Sequence, residues 1–281
     1  MNSVVVTGVS TGIGWGITKS LTQHGLHVFG SVRKAADAER LTTEFGATFT
    51  PLLFDVTDEA AVHAAARQVR ETLNGSTLFG LVNNAGVAVP GPLLHLPIAE
   101  LRHQLEINVT GQVIVTQAFA PLLGADRNLQ GKPGRLVNIS SVAGKMAMPF
   151  VGPYAMSKHA LEAFSESLRR ELMLYGIDVI IIGPGAIVTP IWDKAQALDL
   201  TPFLHTDYGK VLDKFRDFMV QRGKAGLPVE RMGELVLHVL TTTKPNVRYS
   251  IVANKLKDWT LPRLLPKRML DNIIARQLGF K

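Results

Sequence analysis

The chain has 281 residues, no cysteine and a formal net charge of +7, with 46% apolar and 19% charged residues. This length and composition fit a globular chain with a sizeable core and exclude a disordered one. The absence of cysteine excludes disulfides and thiolate chemistry and suits a reducing compartment, so we expect a cytoplasmic protein without a signal peptide.

Apolar β-branched runs alternate with longer amphipathic stretches along the chain. Strands that are apolar throughout and separated by helices are typical of a parallel sheet covered on both faces, which predicts a single α/β domain over 1–281. The strands are expected at 3–7, 26–32, 48–54, 78–82, 135–140, 177–183 and 247–252. The helices are expected near 13–24, 35–45, 58–73, 97–123, 153–175 and 230–242.

The first strand runs into a glycine-rich stretch, TGVSTGIG at 7–14, which places Gly8, Gly12 and Gly14 just before a helix. Glycines there allow a tight turn and close backbone approach, and the helix N-terminus offers amide groups and a positive dipole end to a phosphate. A glycine loop after the first strand of an α/β pattern favours a bound dinucleotide over a plain connector.

The end of the second strand indicates which dinucleotide is bound. In an NAD site an acidic residue about 20 residues beyond the glycine loop contacts the ribose 2′-hydroxyl, but here Val32 is followed by Arg33 and Lys34. A guanidinium fits a 2′-phosphate, so the sequence predicts NADP(H). NAD(H) stays the alternative, because a shifted register would bring Asp37 to the ribose.

Seven motifs in order resemble those of the short-chain dehydrogenase/reductase family, over at least residues 2–252. They are TGVSTGIG at 7–14, FDV at 54–56, NNAG at 83–86, EIN at 106–108, NISS at 138–141, YAMSK at 154–158 and PGAIVT at 184–189. The resemblance implies a Rossmann-type doubly wound seven-stranded parallel sheet and an NAD(P)-dependent oxidoreductase. The most similar members act on steroids, retinoids and other lipophilic alcohols or ketones.

The resemblance also implies roles for the matching residues. Tyr154 is then the acid–base group, Lys158 its partner and a ribose ligand, and Ser141 rather than Ser140 the donor to the substrate oxygen. Asn108 would hold a relay water through its backbone. The remaining expected cofactor contacts are Gly8, Ser10, Thr11, Gly12, Ile13, Gly14, Arg33, Asp55, Val56, Asn83, Ala85, Gly86, Tyr154, Lys158, Pro184, Gly185, Ile187 and Thr189. Asn83 and Asn84 have the alternative role of bracing the sheet, and no metal is implied.

Tyr154 and Lys158 are four residues apart, so on a helix they share a face with Cβ atoms roughly 5–6 Å apart. A phenol is a poor base near neutral pH. The Lys158 cation and the positive ring of an oxidised nicotinamide both favour the phenolate, so we expect a lowered pKa for Tyr154.

The stretch 190–228 is long, mixed and rich in aromatic residues, which favours a substrate-binding lid. The residues expected to shape the pocket are apolar: Val87, Val89, Ala143, Met146, Met148, Phe150, Ile187, Ile191 and Trp192. They suit a lipophilic secondary alcohol or ketone, or a retinoid-like alcohol or aldehyde. The alternatives are an NAD(H)-dependent hydroxysteroid-type dehydrogenase, a non-catalytic cofactor-binding sensor, and epimerase or dehydratase chemistry.

The C-terminal tail, 255–281, carries five of the seven net positive charges among Leu, Ile, Trp and Phe. The rest of the chain is nearly neutral, so nucleic acid is not an expected partner. A final helix at 266–278 is expected to cover the substrate entrance or a subunit interface, and a peripheral membrane contact is the alternative. A homo-oligomer, dimer or tetramer, is implied by the family resemblance, through the helices at 97–123 and 153–175.

Overall fold

The computed structural model describes residues 2–280, and its seven strands form one parallel sheet. The strands are β1 (Ser3–Val6), β2 (His27–Val32), β3 (Phe49–Leu53), β4 (Gly80–Asn83), β5 (Arg135–Ile139), β6 (Asp178–Pro184) and β7 (Arg248–Ile251). Their order is β3-β2-β1-β4-β5-β6-β7, which confirms the predicted doubly wound fold. The order reverses between β1 and β4, and in such sheets ligands bind at the carboxyl ends of the strands beside that point.

The helices lie on both faces of the sheet. They are α1 (Gly12–Gln23), α2 (Ala35–Phe45), α3 (Glu59–Leu73), α4 (Ile98–Leu105), α5 (Gly111–Phe119), α6 (Gly152–Glu171), α7 (Ile191–Gln196), α8 (Gly209–Lys224), α9 (Glu230–Thr241), α10 (Leu261–Leu264) and α11 (Lys267–Leu278). Side chains of a strand alternate between faces, so Val4 and Val6 pack with α1 and α9 while Val5 packs with α3 and α5. Both faces of the central strands are therefore buried, as their continuous apolar sequences predict.

The region 97–123 differs from the single helix expected there. A π-helical turn, Glu106–Thr110, separates α4 from α5, and a 3-10 turn at Ala120–Leu123 follows. Such π turns are inserted into helices mostly at functional sites, and this one contains Asn108. Periodicity did not predict the interruption, because one wide turn hardly changes an apolar pattern.

Segment 190–228 is more ordered than the sequence indicated. It contains α7, a 3-10 turn at Thr201–Phe203 and α8. A third apolar cluster joins it to the end of the chain, with Phe150, Phe203, Phe215 and Leu278 all buried. The final helix falls within one residue of its expected start, and Leu278 at its end is 1% exposed.

Across residues 2–280, no helix combines the length and the apolarity that a membrane span would need.

Candidate active site

The glycine loop joins β1 to α1 at the point where the strand order reverses. Gly8 and Gly12 have φ angles of +70° and +62°, which side-chain-bearing residues rarely adopt. A Cβ on Gly14 would collide with the Gly8 carbonyl oxygen. Thr11, the residue before α1, is extended and makes no side-chain cap hydrogen bond, so no side chain of the N-cap occupies the first amides of the helix. The loop therefore has the backbone shape that a dinucleotide's phosphates require.

Thr7 and Asn84 hold that loop against β4, and Asn83 ties β4 to its other neighbours. The Asn84 side-chain amide donates to the carbonyl oxygens of Thr7 and Gly8, at 2.8 and 3.2 Å. The Thr7 hydroxyl accepts from the amides of Asn84 and Ala85, both at 2.9 Å. Asn83 donates to Asn138 Oδ1 and Thr116 Oγ1, also at 2.9 Å. Both asparagines brace the sheet, which was the alternative to direct cofactor contact.

Arg33 lies at the carboxyl end of β2, as predicted, and it is largely exposed. Its Nη1 is 3.5 Å from Asp55 Oδ2, at the end of the neighbouring strand β3. Partial burial raises the pKa of Asp55, but hydrogen bonds from Thr57 and the charge of Arg33 outweigh that effect and leave the pKa below its ordinary value. Asp55 thus accepts hydrogen bonds as a carboxylate, and the guanidinium beside it is free to meet solvent or an anion.

Asp37 is the acidic residue that would favour NAD(H) if it reached the ribose. It has a cationic partner on its own helix. Arg40 Nη2 lies 3.2 Å from Asp37 Oδ1 and donates to the Ser10 carbonyl oxygen at 2.6 Å. Arg40 therefore offsets the charge of Asp37 and ties α2 to the glycine loop. Sequence reasoning missed Arg40, although its spacing of three from Asp37 is a recognisable helical ion pair.

Tyr154, Lys158 and Ser141 come together at the carboxyl ends of β5 and β6. Tyr154 and Lys158 lie one turn apart on α6, with Lys158 Nζ 5.7 Å from the Tyr154 ring centroid. Lys158 Nζ donates to the Ile139 carbonyl oxygen at 2.8 Å. Ser141 follows β5, and its side chain is near enough to the Tyr154 phenol to lower the pKa of that group. The neighbouring Ser140 is buried, and its hydroxyl has no hydrogen-bond partner among the described residues.

The protonation equilibria of this cluster differ from the sequence-based expectation. Burial raises the pKa of Tyr154, and the hydrogen bond with Ser141 offsets only part of that effect. Burial also lowers the pKa of Lys158 to about 8, against the charge of Glu162, which raises it. We expected a lowered pKa for Tyr154. Desolvation was not visible in the sequence, and in the folded protein it is the largest effect on the phenol.

Asn108 anchors the loop that follows β4. Its Oδ1 accepts from the Val87 amide, and its Nδ2 donates to the Val87 carbonyl oxygen, both at 2.9 Å, and to Ser157 Oγ at 3.0 Å. The side chain is thus saturated, and the backbone lies in the π turn, whose wider spacing alters the usual helical hydrogen bonding. Gly86 leaves room for this contact, since a Cβ there would be 3.2 Å from Asn108 Oδ1.

The segment after β6 closes the site opposite the glycine loop. The Gly185 amide donates to the Ile251 carbonyl oxygen at 2.8 Å, which aligns Pro184 and Gly185 with the sheet. Thr189 faces the loop, because a Cβ on Gly12 would be 3.5 Å from Thr189 Cβ. The two sides of the site are therefore in contact at Gly12 and Thr189.

Trp192 fixes the start of segment 190–228. Its Nε1 donates to the Ile187 carbonyl oxygen at 2.7 Å. Its ring lies against Gly223 of α8, where a Cβ would collide with it. Trp192 therefore ties α7 both to the segment after β6 and to α8.

The described part of the chain contains no group of residues that could hold a metal ion.

Two further predicted contacts have packing roles as well. Val56 is buried against α5, where a Cβ on Gly111 would lie 2.7 Å from its Cγ2. Ile13, in the first turn of α1, is partly buried and packs against the edge of the core. Phe150, expected to line the substrate pocket, instead packs with Tyr208, Phe215 and Phe280 in the lid cluster, at centroid distances of 5.7, 5.3 and 5.8 Å.

Gln104 and Ser157 belong to this region and were not predicted. Gln104 is fully buried, accepts from the Val89 amide and donates to the Val87 carbonyl oxygen, both at 2.7 Å. Ser157 accepts from Asn108 and donates to the Tyr154 carbonyl oxygen at 2.8 Å. A buried-face position on an amphipathic helix was the available signal for both, and it does not distinguish a polar contact from packing.

The fold and the site together define a dinucleotide-dependent oxidoreductase: the glycine loop after β1 and the group Ser141, Tyr154 and Lys158 lie on opposite sides of the strand-order reversal. The family model described as short chain dehydrogenase matches residues 2–199. The chain belongs to the short-chain dehydrogenase/reductase family, and it is an NAD(P)-dependent oxidoreductase acting on CH–OH groups.

Individual relatives and structures agree with this family. The chain is 43% identical over 278 residues to an NADPH-dependent 3-dehydrocapnine reductase from Ornithobacterium rhinotracheale, covering 99% of this chain and 98% of the relative. It is 33% identical to retinol dehydrogenase 5 of Mus musculus, covering 97% and 87%. Among solved structures, the Pseudomonas aeruginosa RhlG/NADP active-site complex matches with a TM-score of 0.72 and 28% identity, covering 89% of this chain and 94% of that one.

Proposed function

We propose that the protein reduces the carbonyl group of a lipophilic ketone to a secondary alcohol, with NADPH as the preferred reductant. The observation that carries the proposal is the cluster of Ser141, Tyr154 and Lys158 at the carboxyl ends of β5 and β6, with Lys158 and Ser141 buried and Tyr154 half-buried. The relative that is 43% identical is named as an NADPH-dependent reductase of 3-dehydrocapnine, which supports both the direction and the cofactor.

The residues present fit a dinucleotide. Gly8, Gly12 and Gly14 form a cradle that a Cβ at Gly14 would fill, and the first amides of α1 carry no side-chain cap. Arg33 would meet a 2′-phosphate, and Lys158 would hold the nicotinamide ribose. When bound, the reduced cofactor supplies a hydride to the substrate carbon.

In this proposal the protein's side chains handle the proton. Tyr154 donates the phenolic proton to the carbonyl oxygen, and Ser141 donates a hydrogen bond that stabilises the charge developing there. The raised pKa of Tyr154 keeps the phenol protonated, which suits a general acid in the reductive direction. The Lys158 ammonium stabilises the phenolate left behind, and water held at the Asn108 backbone returns the proton.

Arg33 and Arg40 support NADPH over NADH as the preferred reductant. The exposed Arg33 offers a guanidinium at the end of β2, and Arg40 offsets the charge of Asp37. A free carboxylate there would favour a ribose hydroxyl and repel a 2′-phosphate. Dissociation constants for both reduced cofactors, measured by fluorescence, test this preference. Tighter binding of NADH would contradict it.

We also propose that 190–228 is a substrate lid and that the tail secures it. Leu278 of α11 is buried in the cluster with Phe215 of α8, which supports the covering role expected for the final helix. The substrate side then consists of apolar residues, including Val87, Ile187 and Ile191. Such a lining suits a lipophilic substrate.

A peripheral lipid contact remains compatible with that role, because another part of the tail faces outward. Leu264 and Met269 are 75% and 52% exposed, and the exposed Arg263 and Arg268 lie beside them. Apolar anchors flanked by cations suit an anionic membrane surface. Flotation with anionic vesicles, comparing the full chain with a Leu264→Asp/Met269→Asp variant, tests it. Failure of the unmodified chain to float would contradict the contact.

We propose a homo-oligomer, dimer or tetramer, assembled through the regions 97–123 and 153–175. Met173 and Leu174, at the end of the second region, are 69% and 70% exposed, which supports a surface that a second copy covers. Light scattering coupled to size exclusion measures the mass directly, and a monomer at micromolar concentration would contradict the proposal.

The experiment that tests the main proposal is a panel of ketones and secondary alcohols, followed by absorbance of the reduced cofactor. We expect reduction of lipophilic ketones with NADPH, including 3-dehydrocapnine. Cofactor binding without turnover on any member of the panel would instead favour the sensor alternative.

A further inference from the structure

Glu162 is a buried carboxylate on α6, one turn beyond Lys158, and the mechanism above does not use it. Its side chain is 2% exposed. Arg248 of β7 donates to both carboxylate oxygens, from Nε at 3.2 and 3.0 Å and from Nη2 at 3.0 Å. Lys145 Nζ lies 3.3 Å from Glu162 Oε2. A buried carboxylate is costly unless it is paired and hydrogen-bonded, and this one is held by two cations.

The same arginine reaches the catalytic turn. Arg248 Nη2 also lies 3.4 Å from the Ser141 carbonyl oxygen, where it donates a weaker hydrogen bond. On its other side, the Arg248 guanidinium stacks 4.4 Å from the ring centroid of the buried Trp259. Arg248 therefore connects the carboxylate beside Lys158, the backbone of Ser141 and the segment that begins the tail.

Two glycines leave the space that this network occupies. A Cβ on Gly183 would collide with Arg248 Nη2, and one on Gly144 would lie 2.9 Å from Glu162 Cγ. Since neither glycine has a left-handed backbone, close approach is the reason that side chains are excluded there. The two glycines therefore leave room for the Arg248 side chain at the end of β6 and for the Glu162 side chain beside it.

We propose that Glu162 and Arg248 are positioning residues for the reaction: the Glu162 charge holds the Lys158 ammonium, and Arg248 fixes the turn that carries Ser141. This inference rests on the proposed function, because it takes Lys158 and Ser141 as catalytic. It adds two residues that do not touch the substrate and act through those that do.

The charge of Glu162 changes the pKa of Lys158 in one direction. Burial lowers the pKa of Lys158 to about 8, and the charge of Glu162 raises it. Removing that charge would lower the pKa further, and the unpaired Arg248 and Lys145 would add to the effect. The other charged groups around the network are Glu166, 3.7 Å from Lys145, and Arg263, stacked on the far face of Trp259. Both side chains are exposed, so solvent and salt screen their charges.

The test is the pH profile of kcat/KM for NADPH-dependent ketone reduction in matched variants. Glu162→Gln keeps the shape and removes the charge, so we expect the alkaline limb to move to lower pH by about one unit. Arg248→Met removes a cation, so the limb is expected to move to higher pH. Glu166→Gln is the matched control: it loses a carboxylate one turn further along α6 and should leave the limb in place.

General damage to the fold would not move the alkaline limb in opposite directions when an anion and a cation are removed. If Arg248→Met does not fold, Lys145→Met removes a cation from the same carboxylate and carries the same expected sign. A folded Glu162→Gln enzyme whose profile superimposes on that of the unmodified protein would overturn the proposal.

A second readout does not depend on turnover. In protein labelled at the lysine Cε carbons, Lys158 is assigned by its absence in Lys158→Met, and its NMR titration is followed with and without Glu162→Gln. A lower midpoint in the variant supports the charge coupling even if the ketone panel fails. An unchanged midpoint in an active enzyme overturns the coupling while the proposed function stands.

Discussion

The two ends of the candidate site are built by different kinds of contact. At the cofactor end, backbone groups and short polar side chains meet: Asn84 bonds Thr7 and Gly8, and Gly14 touches the Gly8 carbonyl. At the lid end, Phe150, Phe215 and Leu278 meet through apolar surface. Polar contacts require particular residues at particular positions, whereas apolar contacts tolerate exchange at constant volume. The cofactor end can therefore be recognised from sequence motifs, whereas the lid end cannot.

The largest expected effect comes from Tyr154→Phe, which removes the proton donor where the two ends meet. We expect kcat to fall by at least about 10²–10⁴-fold, the usual contribution of general acid–base catalysis, with NADPH binding retained. Steady-state kinetics and cofactor fluorescence measure both. Tyr175→Phe, at a tyrosine that stacks on Arg127, is the control and should keep full activity. Retention of a tenth of kcat by the Tyr154 variant would refute the assignment.

The next effect concerns stability and pH at Lys158. Its pKa is lowered to about 8 in the folded protein, so between about pH 8 and 10.4 the unfolded chain binds more protons than the folded one. Stability from this group therefore rises with pH across that window. Relative to Lys158→Met, the unmodified protein should gain up to about 3 kcal/mol in free energy of unfolding. Denaturant titrations at several pH values measure the difference, and a flat difference would contradict the lowered pKa.

Arg33→Ala tests the proposed contact between the Arg33 guanidinium and the 2′-phosphate of NADPH. Charge-assisted hydrogen bonds contribute about 1.5–3 kcal/mol, so the Kd for NADPH should rise roughly 10- to 100-fold while that for NADH changes little. Arg70→Ala removes an arginine that pairs with Asp126 at 2.7 Å and serves as the control. Equal weakening of both cofactors by the Arg33 variant would argue against contact with a 2′-phosphate.

The smallest effect is expected at the lid end, from Leu278→Ala. Loosening this cluster should raise the KM for a lipophilic ketone a few-fold and leave the Kd for NADPH unchanged. Leu21→Ala, at a fully buried position of the main core, should instead lower the free energy of unfolding by about 2–5 kcal/mol without a selective change in KM. If the Leu278 variant weakens NADPH binding as much as ketone binding, the two ends are not separable in this way.

The same contrast explains how far sequence reasoning reached. The seven strands and α2 at 35–45 followed from periodicity, and the doubly wound fold and the grouping of Ser141, Tyr154 and Lys158 followed from the family resemblance. The role of Glu162 did not, because an acidic residue on a helix is usually solvent-exposed, and only the packing of β7 buries this one. The helices within 190–228 were missed because their apolar faces are completed by Phe150 and Leu278, which are distant in sequence.

Phe150 has a further consequence. Its φ angle of 61° lies in the left-handed region, which costs a residue with a bulky side chain on the order of 1–2 kcal/mol and persists only where neighbours impose it. Those neighbours are aromatic rings of the lid and the chain end, and α6 begins only two residues later with Tyr154 in its first turn. The aromatic contacts of this cluster therefore hold a strained backbone two residues before the helix that carries Tyr154.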